Sequence, residues 1–242
     1  MKPQAFEDLH PKIVLGIAAH PDDLDFTVAG TLATFAAQGA QVYYLQLTDG
    51  GKGSDDPNLS CEAVAATRKS EQIAACNIIG GKEVFFLDHP DGELVASLDL
   101  KHEIVRYIRK IRPDVVITTD PTVIYDREWG IINHTDHRAA GEATLDAVYP
   151  LARDCHTFPE LHEEGLEPHK VKTVLMTAFS NQNFFVDVTD VYQQKMAAAI
   201  AHGSQLSDPA DMTKVLTEMA ENAGEKVGVK YAEGFVRLDM ML

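Results

Sequence analysis

Four short, largely apolar runs lie in the first half of this 242-residue chain, at positions 13–19, 42–47, 84–87 and 115–118. A strand that is apolar on successive residues is covered on both faces. Such coverage is typical of parallel strands in an α/β sheet, whereas an antiparallel sheet with one solvated face shows alternation. These runs therefore limit the possible folds more than any other feature of the sequence.

Helical patterns separate the apolar runs. The first covers residues 28–35 and stops before Gly39, the second covers residues 61–79, and the third covers residues 100–111 and stops before Pro113. Glycine and proline commonly end helices. Repeated β-α-β units of this kind predict a doubly wound, mostly parallel α/β sheet with helices on both faces.

The second half of the chain is less regular. We predict a helix over 136–148, a long loop over 151–170, strands over 171–179 and 184–188, helices over 190–202 and 209–222, and a last edge strand within 229–238. No internal repeat or long linker interrupts the sequence. Residues 1–242 are therefore expected to form a single domain.

Composition narrows the class of protein. A formal net charge of −16 argues against nucleic acid or an anionic membrane as a partner, because phosphate groups bind clustered Lys and Arg. The cysteines, Cys61, Cys76 and Cys155, form no C-x-x-C pair, and their odd number argues against a disulfide framework. The N-terminus lacks the apolar stretch of a signal peptide, and every apolar run is too short to span a bilayer. We therefore expect a cytoplasmic protein.

Polar residues follow each predicted strand, at the edge of the sheet where doubly wound proteins bind ligands. The first strand leads into the sequence A-H-P-D-D, which contains His20, Asp22 and Asp23. His20 and Asp23 could both reach one metal ion, and Asp22 could remain free as a general base. The alternative is that Asp22 or Asp23 is only the N-cap of the following helix.

A second motif, H-T-D-H, follows the fourth predicted strand. His134 and His137 lie three residues apart near a helix start and so share one side of it. One could be a third metal ligand and the other a hydrogen-bond donor, while Asp136 orients an imidazole. The alternative is two surface histidines next to an N-cap, Thr135. Because both motifs occupy neighbouring strand ends, a metal site is the better interpretation.

The two motifs together resemble the LmbE/PIG-L family of metal-dependent deacetylases. The resemblance implies a Rossmann-like fold and removal of an acetyl group from an N-acetylglucosamine-type amino sugar or its conjugate. It implies Zn²⁺, or another divalent ion such as Fe²⁺, and a homo-oligomer acting on a small N-acetylated molecule. It extends to weaker segments along nearly the whole chain: Thr67-Arg68 with Glu71, Pro90-Asp91-Gly92, Ala147-Val148-Tyr149-Pro150, Val186-Asp187-Val188-Thr189 and Tyr231-Ala232-Glu233-Gly234-Phe235.

By this resemblance, His20, Asp23 and His137 bind the metal, and Asp22 is the base that activates the attacking water. Relatives often read A-H-P-D-D-E, whereas Leu24 replaces the glutamate here. The replacement removes no proposed ligand. The expected ligand set is therefore complete.

The resemblance also assigns roles around the metal. Protonated His134 would donate to the oxyanion or to the leaving amine, and Asp136 would hold it in place. Arg68, Asp91 and Asp49 match positions that contact the sugar. These five residues complete the predicted site.

Two of these assignments have structural alternatives. Arg68 could pair with Glu71 one helical turn away, and Asp91 could be a turn residue. Some relatives carry an auxiliary tyrosine shortly before the second motif, but two isoleucines occupy that stretch here. Tyr125 and Trp129 lie nearby, and the auxiliary role stays unassigned.

Two other functions fit the same motifs. The first is an amidase that acts on a non-sugar or thiol-conjugate amide, and the second is a non-catalytic ligand-binding module on the same sheet. The role of His89 is unassigned. The remaining histidines are expected at the surface: His10, His102, His156, His162, His169 and His202.

Overall fold

The structure is a computed structural model that describes residues 4–5, 9–127, 130–178 and 180–241. Its strands are β1 (Gln4–Ala5), β2 (Ile13–Ala18), β3 (Gln41–Thr48), β4 (Glu83–His89), β5 (Val115–Thr119), β6 (Tyr125–Asp126), β7 (Ile131–Ile132), β8 (Thr173–Thr177), β9 (Phe184–Asp187) and β10 (Ala232–Asp239). Its α-helices are α1 (Asp23–Ala37), α2 (Cys61–Ile78), α3 (Leu98–Ile111), α4 (Thr135–Asp146), α5 (Pro159–Glu163), α6 (Tyr192–Ile200) and α7 (Pro209–Val227).

Eight strands form one central sheet in the order β1-β9-β10-β8-β5-β2-β3-β4, and β6 pairs with β7 in a separate hairpin. The neighbours from β8 through β5, β2 and β3 to β4 are all parallel. Only β10 runs antiparallel to its neighbours, β8 and β9. The predicted Rossmann-like, mostly parallel α/β sheet is confirmed.

Alternate residues of β2 pack into different hydrophobic clusters. Val14 and Ala18 belong to the cluster that includes α1, α2 and α6, whereas Leu15 and Ile17 belong to the cluster that includes α3 and α4. All four side chains are buried. This burial on both faces explains why the strand is apolar on successive residues.

Several helices begin and end at residues with the expected capping signals. Ser60 and Ser97 accept hydrogen bonds from the third residue of α2 and α3 and so cap their N-termini. Gly39 follows α1 with φ = 92° and Gly80 follows α2 with φ = 78°, conformations that favour glycine. In the described part of the chain, no helix has the length and apolar character needed to cross a bilayer.

Two predictions for the second half of the chain are wrong. The last strand, β10, lies inside the sheet between β8 and β9 rather than at its edge. The segment predicted as a loop over 151–170 contains the short helix α5. The strand predicted over 171–179 ends at Thr177, and residue 179 lies outside the described residues.

Candidate active site

The two motifs meet where β2 and β5 lie next to each other in the sheet. These strands are parallel neighbours, so their carboxyl ends share one edge. His20 and Asp23 lie on the turn from β2 into α1, while His134 and His137 lie at the start of α4. The fold thereby brings together residues that are up to 117 positions apart.

Donor atoms of His20, Asp23 and His137 face one another at distances that suit a shared metal ion. His20 Nδ1 lies 3.3 Å from His137 Nε2 and 3.6 Å from Asp23 Oδ2. His137 Nε2 lies 3.0 Å from Asp23 Oδ1. Ligands of a tetrahedral zinc ion with bonds of about 2.0–2.1 Å are about 3.4 Å apart. These residues could therefore hold such an ion with little movement.

Two further groups in the described residues could hold a cation: His20 with His134 and His137, and His20 with Asp91 and Asp136. The second group surrounds the other ring nitrogen of His20. Nε2 lies 3.1 Å from Asp91 Oδ1 and 3.3 Å from Asp136 Oδ2, without the alignment of a hydrogen bond. A histidine that binds a metal through one nitrogen commonly has a carboxylate near the other, so these groups are compatible with one site.

The carboxylates around His20 stabilise positive charge at this position. Burial lowers the pKa of His20, but Asp136, Asp23 and Asp91 outweigh burial and raise that pKa far above its usual range. Burial raises the pKa of Asp23, and His137 and His20 outweigh it and lower that pKa well below its ordinary value. A divalent cation supplies the same positive charge. The donor set therefore fits a metal ion.

The carboxylate of Asp22 is turned towards Arg68 rather than towards the N-terminus of α1. Arg68 Nη2 donates to Asp22 Oδ2 at 3.0 Å, and Asp22 is 8% exposed. Asp22 makes no side-chain N-cap hydrogen bond, so the N-cap alternative is wrong for this residue. Burial, followed by the charge of Asp23, raises the pKa of Asp22, and Arg68 opposes that shift. Asp22 thus presents a buried carboxylate whose charge interacts with Asp23, His20 and His137.

Arg68 supports this carboxylate from within α2. It is buried, its Nη2 donates to Pro21 O at 2.7 Å, and its Nη1 donates to Gly50 O at 2.8 Å. Glu71 instead accepts hydrogen bonds from the backbone and hydroxyl of Ser204. The alternative of a pair between Arg68 and Glu71 is therefore wrong.

Asp91 and Asp49 lie on the β3 and β4 side of the site. Asp91 Oδ2 accepts a hydrogen bond from the backbone N–H of Lys52 at 3.1 Å and lies 3.9 Å from Arg68 Nη1. Asp49 Oδ1 accepts from the backbone N–H groups of Gly51 at 2.9 Å and Asp91 at 3.3 Å. Asp91 therefore faces the site, beyond any role in its turn, and Asp49 orders the loop next to it.

His134 is solvent-exposed and caps α4. Its Nδ1 accepts a hydrogen bond from the backbone N–H of Asp136 at 3.1 Å, which favours the neutral tautomer with the proton on Nε2. Partial burial and the positive charges of His20 and His137 lower the pKa of His134. Both observations favour a neutral His134 over the protonated form that the sequence predicts.

The side chain of Asp136 has different partners from those predicted. Its fully buried carboxylate accepts hydrogen bonds from the backbone N–H groups of Gly92 at 2.7 Å and Leu94 at 3.2 Å. Asp136 contacts His134 through its backbone, whereas its carboxylate faces His20. The carboxylate of Asp136 therefore lies next to His20, whereas the sequence predicted that it orients His134.

A buried polar network behind Asp22 was missed by sequence analysis. Gln72 Oε1 accepts from the backbone N–H of Asp22 at 3.0 Å, and Gln72 Nε2 donates to Asp25 Oδ2 at 2.7 Å. The hydroxyl of Tyr44 donates to Asp25 Oδ1 at 2.9 Å, and His202 Nε2 lies 2.9 Å from Asp25 Oδ2. Gln72, Asp25, Tyr44 and His202 are each 0% exposed. The network therefore links the backbone of Asp22 to the core.

One part of this network carries a sequence signal. Gln72 lies one helical turn after Arg68 on the same face of α2, so it could have been grouped with Arg68. His202 was predicted at the surface, and this prediction is wrong because the side chain is fully buried. It pairs with Asp25 across 177 positions of sequence, a contact that no local pattern indicates.

A cavity of about 160 Å³ opens next to Asp23 and His137, on the β5 side of the site. Asp22, Arg68 and Asp91 are not among its lining residues. Its wall is more apolar than polar, and the apolar residues that α1 and α7 contribute to it include Leu24, Phe26, Leu216, Met219, Ala220 and Ala223. The site therefore has an apolar side at β5 and a polar, acidic side at β3 and β4.

Two further sequence questions concern residues near the site. Tyr125 lies in the β6–β7 hairpin and is 58% exposed, while Trp129 lies outside the described residues. His89 Nε2 lies 2.6 Å from Glu103 Oε2. The partner of His89 is thus a residue of α3 rather than one of the clustered ligands.

Comparison with known proteins agrees with this geometry. Residues 15–148, which contain both motifs, match the PIG-L family, described as GlcNAc-PI de-N-acetylase. Diacetylchitobiose deacetylase of Thermococcus kodakarensis is 34% identical over 235 residues, which cover 96% of this chain and 84% of that protein. The 1D-myo-inositol 2-acetamido-2-deoxy-alpha-D-glucopyranoside deacetylase of Rhodococcus erythropolis is 29% identical over 243 residues, with 81% and 82% coverage.

The three-dimensional structure leads to the same group of proteins. N,N'-diacetylchitobiose deacetylase from Pyrococcus horikoshii, solved in complex with its inhibitor MPG, superposes with a TM-score of 0.87 and 30% sequence identity. The superposition covers 95% of this chain and 84% of that one. Since sequence motifs, matched residues and fold all agree, the chain belongs to the PIG-L family and is an N-deacetylase.

Proposed function

We propose that this N-deacetylase removes the acetyl group from an N-acetylglucosamine-type amino sugar or its conjugate, with Zn²⁺ as its metal ion. One observation carries the proposal: donor atoms of His20, Asp23 and His137 lie 3.0–3.6 Å apart, and the buried carboxylate of the adjacent residue Asp22 interacts electrostatically with all three. Three ligands and a free carboxylate are the components of a hydrolytic metal site. Both relatives are named for N-acetylated glucosamine derivatives, which supports this substrate class.

His20, Asp23 and His137 are the proposed metal ligands. Two imidazoles and one carboxylate suit Zn²⁺, and a similar set can take Fe²⁺. When bound, the ion polarises a carbonyl group and lowers the pKa of water. Asp136 and Asp91 flank the second nitrogen of His20 and fix the orientation of its ring.

Asp22 is the proposed general base. Its Oδ2 is occupied by the guanidinium of Arg68, which leaves Oδ1 to take a proton from the attacking water. The same proton then passes to the leaving nitrogen as the C–N bond breaks. The products are acetate and the amine in its ammonium form, so both protons of the water are accounted for and no other reactant is needed.

His134 is the proposed donor to the oxygen of the acetyl carbonyl. Its Nδ1 is held by the backbone N–H of Asp136, which leaves the Nε2 proton to stabilise negative charge in the transition state. One such donor typically contributes about 10²–10³ in kcat. Asp136 acts here through its backbone, as a positioning residue.

The sugar is proposed to lie on the β3 and β4 side of the site. Asp91 and Asp49 supply carboxylates for its hydroxyl groups there. The Nη atoms of Arg68 are already bonded to Asp22 and to backbone carbonyls. Its main contribution is therefore to the position of the base, with any contact to the sugar added to that role.

The test is acetate release by the zinc-loaded protein from N-acetylglucosamine, diacetylchitobiose and an N-acetylglucosaminyl inositol. Asp22→Asn is the matched control, since it keeps the size of the side chain and removes the base. We expect release from at least one sugar and a loss of about 10²–10⁴ in kcat in the variant. Equal rates in the two proteins would contradict the role of Asp22.

The same assay separates the other functions. An acetylated thiol conjugate and a non-sugar acetamide are included as substrates. Hydrolysis of these compounds without hydrolysis of any sugar would contradict the amino-sugar proposal and favour the amidase alternative. Binding of a sugar to the zinc-loaded protein without hydrolysis would favour a ligand-binding module.

A further inference from the structure

We infer that the apolar cavity next to Asp23 and His137 is an acyl pocket, and that this enzyme hydrolyses amino-sugar amides with chains longer than acetyl, up to about six carbons. The inference rests on the proposed function and adds the class of acyl group to it. The acyl pocket is defined by its apolar lining residues: Leu24, Phe26, Leu216, Met219, Ala220 and Ala223.

The position of the acyl pocket supports this inference first. It is lined by two of the three proposed metal ligands, Asp23 and His137, but not by Asp22, Arg68 or Asp91. The two halves of an amide extend in opposite directions from the carbonyl carbon. With the sugar on the β3 and β4 side, the acyl half therefore points towards β5 and into the pocket.

The size of the pocket exceeds what an acetyl group needs. Its volume is about 160 Å³, close to that of an engineered apolar cavity of about 150 Å³ that takes benzene. The methyl group of an acetyl amide fills only a small part of such a space. A straight chain of about six carbons fits it.

The chemistry of the wall favours an apolar occupant. The charged groups at the wall already have partners: Lys195 Nζ lies 2.5 Å from Glu233 Oε1, and Asp120 Oδ1 accepts hydrogen bonds from the backbone and hydroxyl of Thr122. Among the other wall residues, apolar side chains outnumber polar ones, which are Thr27, Thr119, Asn133, Thr177 and Gln182. The amide nitrogens of Asn133 and Gln182 donate to the backbone carbonyls of Val123 and Ala178. Each methylene buried there tightens binding by about fourfold.

The reaction on a longer amide has the same balance as deacetylation. The oxygen of water joins the acyl carbon, the C–N bond breaks, and the amine nitrogen takes the proton. A fatty acid leaves in place of acetate. No oxidant, reductant or further reactant is required.

The first experiment compares kcat/KM of the zinc-loaded protein for the N-acetyl, N-butyryl and N-hexanoyl forms of the sugar that it deacetylates fastest among the three sugars tested above. We expect the value for the hexanoyl substrate to lie within a hundredfold of the acetyl value. A larger fall, with acetyl still hydrolysed, overturns the inference and leaves the proposed function intact. Failure to release acetate from any of those three sugars overturns both.

The second experiment fills the acyl pocket. Ala223→Leu adds bulk to its wall, and Val215→Leu is the matched control on α7 at a residue that does not line it. We expect the hexanoyl-to-acetyl ratio of kcat/KM to fall at least tenfold in Ala223→Leu and to stay the same in the control. Met219→Trp repeats the test from a partly exposed position if the first variant folds poorly. An unchanged ratio in a folded pocket variant overturns the inference.

A third measurement does not depend on turnover. The Asp22→Asn variant is titrated calorimetrically with N-hexanoyl- and N-acetylglucosamine. We expect the hexanoyl compound to bind at least tenfold more tightly, and Ala223→Leu in the same background to remove that difference. Equal affinities of the two compounds overturn the inference.

Discussion

Asp22, the proposed base, combines a buried carboxylate with an unfavourable backbone conformation. Its φ of 111° costs a non-glycine residue about 1–3 kcal/mol. Gln72 binds its backbone N–H and Arg68 binds its carboxylate, so α2 supplies contacts at both ends of the residue. The geometry of the proposed base therefore depends on two residues of α2, Arg68 and Gln72.

The first prediction separates the two histidines of H-T-D-H. His134→Ala should lower kcat by about 10²–10³ and retain zinc, because this side chain is proposed to donate only to the carbonyl oxygen. His137→Ala should lose zinc, because it removes a ligand. Zinc content by atomic absorption together with kcat tests the division. Similar zinc loss in the two variants would contradict it.

The second prediction concerns Gln72. Gln72→Ala removes the acceptor for the Asp22 N–H and leaves buried polar groups unpaired. The free energy of unfolding should therefore fall by about 1–3 kcal/mol. We also expect kcat to fall by more than KM changes, because the base loses its position. Gln194→Ala, which removes a hydrogen bond to Ile78 O away from the site, is the control and should affect stability only. Urea unfolding and steady-state kinetics measure both effects.

Local spacing decided which site residues the sequence could predict. The fold brings His20, Asp23, His134 and His137 together because their motifs follow adjacent parallel strands, and strand ends can be located from apolar runs. His202 could not be predicted, because its burial depends on how the chain returns after α6. Long-range pairing of this kind leaves no periodic pattern.

At the level of elements, β10 shows why its predicted place at the sheet edge was wrong. A glutamate, Glu233, lies near its start and gives the strand the polar character of an edge. That carboxylate is buried, however, where it pairs with Lys195 and accepts hydrogen bonds from the backbone N–H groups of Gly30 and Thr31. A charged residue in a central strand is tolerated here because α1 and α6 satisfy its oxygens.

The third prediction tests this buried pair. Lys195→Met should lower the free energy of unfolding by about 3–5 kcal/mol, because it leaves Glu233 buried without its counter-charge. Lys172→Met removes an ion pair between Asp114 and a lysine side chain that is 61% exposed, and should change stability by about 1 kcal/mol or less. Urea unfolding of both variants gives the comparison. Equal effects would contradict the importance of burial.

At the scale of the whole molecule, the proposed ligands join its two motif-bearing regions. One region contains β2 and α1 and the other contains α4, so a bound ion crosslinks elements that pack on opposite faces of the sheet. A ligand that binds only the folded state stabilises it. That residues 1–242 form a single domain, and that the protein assembles as a homo-oligomer, both stay predictions.

The fourth prediction is that metal removal destabilises the protein. At a metal concentration a thousandfold above Kd, chelation should lower the free energy of unfolding by about 4 kcal/mol. Thermal unfolding before and after dialysis against a chelator measures the change, and re-addition of Zn²⁺ should restore it. His137→Ala should be insensitive to the chelator. A chelator effect of equal size in that variant would contradict the proposed ligand set.

The distance in sequence between His20 and His137 has a consequence for how the protein is made. The two residues are 117 positions apart, and ribosomes add about 5–20 residues per second. For about 6–23 seconds, a nascent chain therefore carries the first motif without the second. The proposed three-ligand site can form only after α4 has left the ribosome, so metal loading is confined to a late stage of synthesis or to the finished chain.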